Sequence, residues 1–217
     1  MELQLSLSKR DFYGYIDDLL KLQFPDGAKH NLADVLDEAL KRTAECFSPL
    51  RLPGYLKNGK PYLNHLHGDQ SAVFYYFLSN SAFHSNDRAL AEKAMLLNKA
   101  RNGIVVTFDT QLPPHFLLVH TVGTMLGKAV YGDYFVATQN VTVGTHKGNA
   151  PVFGRGVILY PRSFVAGKCA IGDFSRIATG ATVIDVACGD HSVVAGESPQ
   201  NVVKRSQRET ISEYFDL

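Results

Sequence analysis

Residues 153–187, FGRGVILYPRSFVAGKCAIGDFSRIATGATVIDVA, repeat with a period of six. One phase of the repeat always carries a large apolar residue, and the phase four positions later carries a smaller one. The large residues are Phe153, Leu159, Val165, Ile171, Ile177 and Val183, and the smaller ones are Val157, Ser163, Cys169, Ser175, Ala181 and Ala187. A period of six matches neither the roughly 3.6-residue period of a helix nor the alternation of a sandwich strand, and it is typical of a parallel β-helix.

The repeat also predicts how successive coils stack. Three hexads make one triangular coil, so residues eighteen apart in the sequence lie above one another. Ile171 and Ile177 then point into the column, while the small residues turn its corners. The same period continues less strictly upstream, at Leu118, Thr124, Val130 and Val136. The alternative is a β-sandwich with chance spacing, which six consecutive hexads in phase disfavour.

Further motifs carry a resemblance to a known family. In chain order they are HTVG at 120–123, VTVG at 141–144, the hexads, SVVAG at 192–196, Pro199, and VVK at 202–204. Over residues 100–204 the chain resembles the hexapeptide-repeat acyltransferases, and most closely the serine acetyltransferases. The resemblance implies an all-β left-handed parallel β-helix, acetyl-CoA as co-substrate, and a homotrimer that could pair into a dimer of trimers. The left-handedness comes from the resemblance alone, because parallel crossovers are otherwise right-handed.

Composition limits the classes of partner. The 217 residues carry a net charge of +1 and no polybasic run, so we expect no nucleic-acid partner. Without a signal-like N-terminus or a stretch of about 18 apolar residues, we expect a protein that is neither exported nor membrane-spanning. Cys46, Cys169 and Cys188 are an odd set without metal-site spacing, which indicates buried thiols and a cytoplasmic location.

The chain divides by composition into an N-terminal α-helical domain at 1–103, the β-helix at 104–204 and a C-terminal tail at 205–217. Helical periodicity predicts four helices, at about 8–24, 32–47, 70–78 and 87–101. Asp69 is the predicted N-cap of the third helix, and Gly103 ends the fourth. The third helix is apolar on all sides, so it should be buried.

The run His65-Leu-His67-Gly-Asp69 invites a metal-site interpretation, since alternate residues of a strand share a face. A zinc site needs three or four ligands, and the sequence shows no convergent partners for these. We therefore interpret His65 and His67 as polar surface histidines and expect no metal ion at this site.

His120 is the candidate catalytic base. An alcohol is a poor nucleophile at neutral pH, so acetyl transfer to oxygen calls for a base beside the hydroxyl. The resemblance places the family's catalytic histidine at His120, and the apolar neighbours Leu117, Leu118, Val119, Val122 and Met125 should partly desolvate it. The resemblance also implies an acidic orienting residue upstream. Asp109 is the candidate, at a shorter spacing than is usual in the family, and Asp133 is the alternative.

The loop at 145–150 departs from the family pattern. Serine acetyltransferases carry an Arg-His pair just before the proline that re-enters the β-helix, whereas Asn149 and Ala150 precede Pro151 here. His146 and Lys147 lie earlier in this loop and are the candidate acceptor-binding residues. An acceptor without a carboxylate, such as a sugar or nucleotide sugar of surface-polysaccharide synthesis, is therefore the leading interpretation, with serine as the alternative.

The resemblance also implies residues for the acetyl-CoA groove between two columns. The expected residues are Tyr160, Ala178 and Gly196 on successive coils, Gly144 and Thr145 near the thioester, and Lys204 near the adenosine phosphates. Small side chains at these positions would leave backbone N–H groups for the pantetheine amides. Tyr160-Pro161-Arg162 replaces the family's Gly-Ala-Gly, so Arg162 either meets a phosphate or belongs to a proline corner.

Two other classes stay open. One is a non-catalytic hexapeptide-repeat scaffold that partners a biosynthetic enzyme, because the chain ends in the aliphatic Leu217, as the family's partner-binding tails do. The other is a carbonic-anhydrase-like β-helix, which a missing histidine trio disfavours.

Overall fold

The computed structural model describes residues 2–206 and 210–217 and divides into two compact units, 1–109 and 110–217. Both units contain the elements expected from the sequence, helices in the first and a parallel β-helix in the second. Gln207, Arg208 and Glu209 of the predicted C-terminal tail lie outside the described residues.

Residues 2–109, the described part of the first unit, contain four helices and four short strands. They are β1 (Gln4–Leu5), α1 (Lys9–Gln23), α2 (Leu32–Phe47), β2 (Leu56–Lys57), β3 (Lys60–Leu63), α3 (Gly68–His84), α4 (Arg88–Asn102) and β4 (Val105–Val106). Strands β1, β3 and β2 form a small sheet in that order. Ser8 caps α1 by accepting a hydrogen bond from the Asp11 N–H, and Gly103 ends α4 with a positive φ of 67°.

Helix α3 differs from its prediction at both ends. Its N-cap is His67, whose side chain accepts a hydrogen bond from the Gln70 N–H, so the assignment of Asp69 as the cap was wrong. Asp69 lies in the first turn, where a carboxylate is favoured by the helix dipole. The helix also continues to His84, and it is buried on all sides as expected, from Gln70 to Ala82.

In the second unit, the described residues 110–206 and 210–217 wind fourteen strands and a short helix into a column. They are β5 (Phe116–Leu118), β6 (Met125–Leu126), β7 (Val130–Tyr131), β8 (Phe135–Ala137), β9 (Thr142–Gly144), β10 (Val152–Phe153), β11 (Ile158–Leu159), β12 (Phe164–Ala166), β13 (Ala170–Ile171), β14 (Arg176–Ile177), β15 (Thr182–Ile184), β16 (Ala187–Cys188), β17 (Ser192–Ala195), β18 (Val202–Arg205) and the 3-10 helix Thr210–Glu213.

These strands build three parallel faces. The first face is β5, β8, β11, β14 and β17, with β18 added antiparallel at its edge; the second is β6, β9, β12 and β15; the third is β7, β10, β13 and β16. Val152 pairs with Ala170, and Ile158 with Arg176, at the predicted spacing of eighteen. The six large residues of the hexads are all buried, which confirms the inward register.

Two positions break the period. The turn after Ile184 is one residue short, so Cys188 rather than Gly189 lies over Ile171, and Ala187 is exposed. Upstream, Val130 is 60% exposed and its neighbour Tyr131 is buried instead. Tyr131 packs against Phe135 and Phe153, with ring centroids 4.9 and 5.5 Å away, so these rings fill that coil.

The first face is covered on its outside by the chain's own C-terminal segment, residues 210–217. Val136 and Ile158 face outward, because their neighbours Ala137 and Leu159 face inward, yet both are buried. The Phe215 ring lies 5.2 Å from that of Tyr134 at the edge of this face. Arg176, in the same outward column, donates hydrogen bonds to Thr210 and Ser206. The segment is therefore part of the folded column.

Candidate active site

The candidate site residues lie at the corners between the faces. We call these the first–second corner (residues 119–124 and the turns stacked on them), the second–third corner (127–129, 145–151, 167–169 and 185–186) and the third–first corner (132–134, 154–156, 172–174 and 189–191). His120 lies at the first–second corner directly after β5, in the left-handed region with a φ of 53°.

His120 is exposed in the single chain. The expected desolvation by its sequence neighbours does not occur there: Leu117 and Leu118 are buried within β5, while Val122 and Met125 are themselves exposed. Shielding of the imidazole from water would have to come from a substrate or from another subunit.

The two candidate orienting carboxylates lie in different places. Asp133 accepts a hydrogen bond from the His115 N–H at 3.0 Å and pairs with His115 Nδ1 at 3.0 Å, while the His115 ring stacks on Tyr134. It belongs to the third–first corner, at the opposite end of β5 from His120, so the alternative assignment to Asp133 is not supported. Asp109 is exposed and ends the first unit; its orienting role stays a prediction.

Residues 145–150 form a tight hairpin at the second–third corner. His146 and Asn149 exchange two backbone hydrogen bonds of 3.0 Å each, and Lys147 and Gly148 at the tip both have positive φ, 49° and 78°. Two positive φ values in a two-residue turn are the geometry of a type I′ hairpin. The hairpin is thus a defined structure that presents His146 and Lys147.

Asp185 holds this hairpin to the column, and sequence reasoning missed it. Its Oδ2 lies 3.1 Å from His146 Nδ1, and its Oδ1 accepts a hydrogen bond of 2.6 Å from the Lys168 N–H. The backbone N–H of Lys168 and then the His146 imidazole keep the pKa of Asp185 below its usual value. Since Asp185 and His146 are 39 residues apart, no local pattern could have paired them.

The candidate coenzyme A residues are partly in register. Tyr160 and Ala178 stack at the first–second corner. Ala195 rather than Gly196 follows in register, because the coil that begins at Ala178 has seventeen residues instead of eighteen. The N–H groups of Tyr160 and Ala178 donate hydrogen bonds to the carbonyl groups of Ile177 and Val194. Contrary to the prediction, neither N–H is available to a pantetheine amide. These two side chains can still line a groove by packing.

The other three expected cofactor residues lie elsewhere on the column. Gly144 ends β9, and Thr145 begins the hairpin. Lys204 is exposed on β18, opposite Val193. Arg162 is also exposed, at the first–second corner with a φ of 62°. All of these roles stay predictions.

His120 and the hairpin lie at opposite edges of the second face. Strand β9 begins just after the first–second corner and ends where the hairpin begins. Its three residues span roughly 10 Å at about 3.3 Å per residue, so the two groups are separated by the width of a face within one chain.

The histidines of the first unit have structural partners. His65 Nδ1 lies 2.7 Å from the Ser6 hydroxyl, and His67 caps α3. Among residues 2–206 and 210–217, no group of three or more His, Cys, Asp or Glu side chains is placed to hold a metal ion. None of the helices in those residues is both long and apolar enough to span a membrane.

Comparison with known proteins gives matches by structure only. No family model matches the sequence, and no curated protein matches it. A serine acetyltransferase from Vibrio cholerae O1 biovar El Tor N16961 superposes with a TM-score of 0.64 at 17% identity, over 92% of this chain and 74% of that one.

Two further solved structures share the fold of this chain. The serine acetyltransferase from Neisseria gonorrhoeae has a TM-score of 0.60 at 19% identity, over 83% of this chain and 69% of its own. The enzyme from Brucella abortus strain S19, in complex with coenzyme A, has a TM-score of 0.60 at 15% identity, over 90% and 75%. The fold is therefore that of the serine acetyltransferases, a left-handed parallel β-helix preceded by helices, as the sequence resemblance predicts.

Proposed function

We propose that this protein is an acetyl-CoA-dependent O-acetyltransferase that acetylates the hydroxyl group of a small acceptor. The observation that carries the proposal is the shared fold, which extends over both the helical unit and the column of the serine acetyltransferases. An exposed histidine in the HTVG sequence at the first–second corner supports it, because acyl transfer to oxygen needs a base of this kind.

In the proposed reaction both substrates bind before any bond changes. The imidazole of His120 takes the proton of the acceptor hydroxyl, and the oxygen attacks the thioester carbonyl. The resulting tetrahedral intermediate collapses, the thiolate of coenzyme A leaves, and the imidazolium returns the proton to the sulfur. Transfer is direct, without a covalent acyl-enzyme.

A complete site calls for more than one copy of the chain. His120 and the hairpin lie at opposite edges of the second face, so a site that uses both combines the first–second corner of one copy with the second–third corner of another. The exposed apolar column of the third face, Val130, Val152, Ala170 and Ala187, supports such an assembly. A homotrimer would provide three such sites.

Serine is now the leading acceptor. The solved structures compared above are serine acetyltransferases, and they favour this alternative over the sugar acceptor that the hairpin sequence suggested. The observation that keeps a sugar hydroxyl as the second candidate is the sequence before Pro151, where Asn149 and Ala150 replace the family's Arg-His pair.

The test is an acetyl-transfer assay with the purified protein, acetyl-CoA, and a panel of serine, amino sugars and nucleotide sugars. Release of free thiol is followed, and the acetylated product is identified by mass. We expect turnover with serine. Turnover with only a sugar would replace the leading acceptor, and no turnover with any hydroxyl acceptor would favour the scaffold class.

His120→Ala tests the base. We expect kcat/KM to fall by about 10²- to 10⁴-fold, because the hydroxyl loses its proton acceptor. His191→Ala is the matched control, since His191 is also a corner histidine with nearly the same φ, 54° against 53°, but belongs to the third–first corner. Equal activity of the His120 variant and the wild type would contradict the catalytic assignment.

A further inference from the structure

The hairpin at 145–150 is joined to the column through a gap left by Gly167. Gly167 lies at the second–third corner with a φ of 81°, and a Cβ atom there would clash with Asp185 Oδ1 and come within 3.0 Å of His146 Cβ. The glycine therefore leaves the space through which the carboxylate and the imidazole meet. Any larger residue would separate them.

The two carboxylate oxygens of Asp185 have different partners. Oδ1 accepts the Lys168 N–H, a bond that other corner aspartates also make: Asp173 Oδ1 accepts the Arg155 N–H at 2.8 Å. Only Oδ2 of Asp185 is used for the hairpin, at 3.1 Å from His146 Nδ1. Asp185 thus combines the structural role of a corner aspartate with a second contact.

That second contact selects one tautomer of His146. A carboxylate accepts hydrogen bonds and does not donate them when ionised, so the nitrogen facing it must carry the proton. The neutral ring is then the Nδ1–H form, and Nε2 is left with its lone pair. The His146 side chain is 37% exposed, so a ligand can approach this ring.

We propose that Asp185 is a positioning residue for acceptor recognition: it fixes the hairpin and holds His146 as the Nδ1–H tautomer, so that Nε2 accepts a hydrogen bond from the acceptor's ammonium group. This role rests on the proposed acetyl transfer. Lys147, whose charge also acts on Asp185, supplies the cation for a carboxylate of the same acceptor. The class of acceptor that this arrangement fits is a small hydroxy amino acid.

The substitution Asp185→Asn should reverse the tautomer of His146. The amide oxygen keeps the hydrogen bond from Lys168, and the amide nitrogen takes the place of Oδ2 and donates to His146 Nδ1. The ring then becomes the Nε2–H tautomer, which donates where it previously accepted. Asp173→Asn is the matched control, because it changes the same kind of corner carboxylate away from any hairpin.

Nitrogen NMR of ¹⁵N-histidine-labelled protein measures the tautomer directly, with His146→Gln to identify the resonance. We expect the Nδ1–H form in the wild type and in Asp173→Asn, and the Nε2–H form in Asp185→Asn. This measurement needs no turnover, so it tests the tautomer even if the protein acetylates nothing. An Nε2–H ring in the wild type, or an unchanged tautomer in Asp185→Asn, would overturn the proposal.

Kinetics test the consequence for the acceptor. With serine as the probe, we expect Asp185→Asn to raise the acceptor KM about tenfold, the loss of one hydrogen bond to a charged group, and to leave the KM for acetyl-CoA unchanged. Gly167→Ala should act in the same direction, with Gly59→Ala as its control: Gly59, in the helical unit, has a similar φ of 73° but open space around its Cβ position. Equal changes in the two KM values would refute a role in acceptor recognition.

Discussion

The first and third faces of the column share the same inward register but differ on the outside. On the first face, outward-facing Val136 and Ile158 are buried, and the C-terminal segment 210–217 packs at the same face through the contact of Phe215 with Tyr134. On the third face, outward-facing Val130 and Val152 are 60% and 48% exposed. The inward-facing residues form the core and give both faces the same fold. The outward-facing residues differ in what covers them: the chain itself covers the first face, whereas the third face stays open to another molecule.

Removing residues 210–217 would make the two faces alike and should have the largest effect. The truncation would remove the buried side chains of Ile211 and Phe215 and would expose those of Val136 and Ile158. Each side chain withdrawn from the buried surface costs about 1.5–3 kcal/mol. The sum approaches the total stability of an ordinary domain. We expect a shortened chain that is largely insoluble, as measured by the soluble fraction and by thermal unfolding. A soluble, cooperatively folded product would show that the segment is dispensable.

Phe215→Ala is a milder version of the same change. Phe215 is fully buried against Tyr134, and a buried Phe→Ala substitution typically costs about 3–5 kcal/mol. Urea unfolding should show this loss in the free energy of unfolding. Leu217→Ala, at a residue that is 56% exposed, is the control and should change it by less than about 0.5 kcal/mol. Equal stability of the two variants would mean that the segment does not anchor the first face.

Val152→Asp tests the open face and should have the smallest effect on folding. Its side chain is already about half exposed, so unfolding of the single chain should change little. If the third face is an interface between copies, the new charge should lower the mass measured by light scattering to that of one chain. Val202→Asp, at an exposed valine of β18, should keep the wild-type mass. A wild-type mass for Val152→Asp would exclude the third face from assembly.

The parts of the fold that follow a local rule could be predicted. Ile171 and Ile177 were placed correctly because a hexad repeat is visible within a few residues, and α1 was placed correctly because Ser8 and Pro25 mark its ends. Features that depend on distant contacts could not be. The missing residue after Ile184 moves Cys188 into register, and nothing in residues 210–217 shows the period that would place them on the first face.

The candidate site shows the same limit. His120 could be singled out because its motif is local, but Asp185 lies 39 residues from His146 and looks like any other corner aspartate in the sequence. The exposure of His120 could not be read from its apolar neighbours either, because a strand residue and a corner residue face different surroundings.

The hairpin at 145–150 behaves as an interchangeable part of the column. Val130 and Val152 are 22 residues apart where Val152 and Ala170 are 18 apart, and the surplus of four equals the closed unit from His146 to Asn149. Excising those four residues would join Thr145 to Ala150 and restore an ordinary three-residue corner like 167–169. Other short hairpins could be grafted at this point without rebuilding the coils, so acceptor preference could be redesigned, or could diverge in evolution, at little cost to the scaffold.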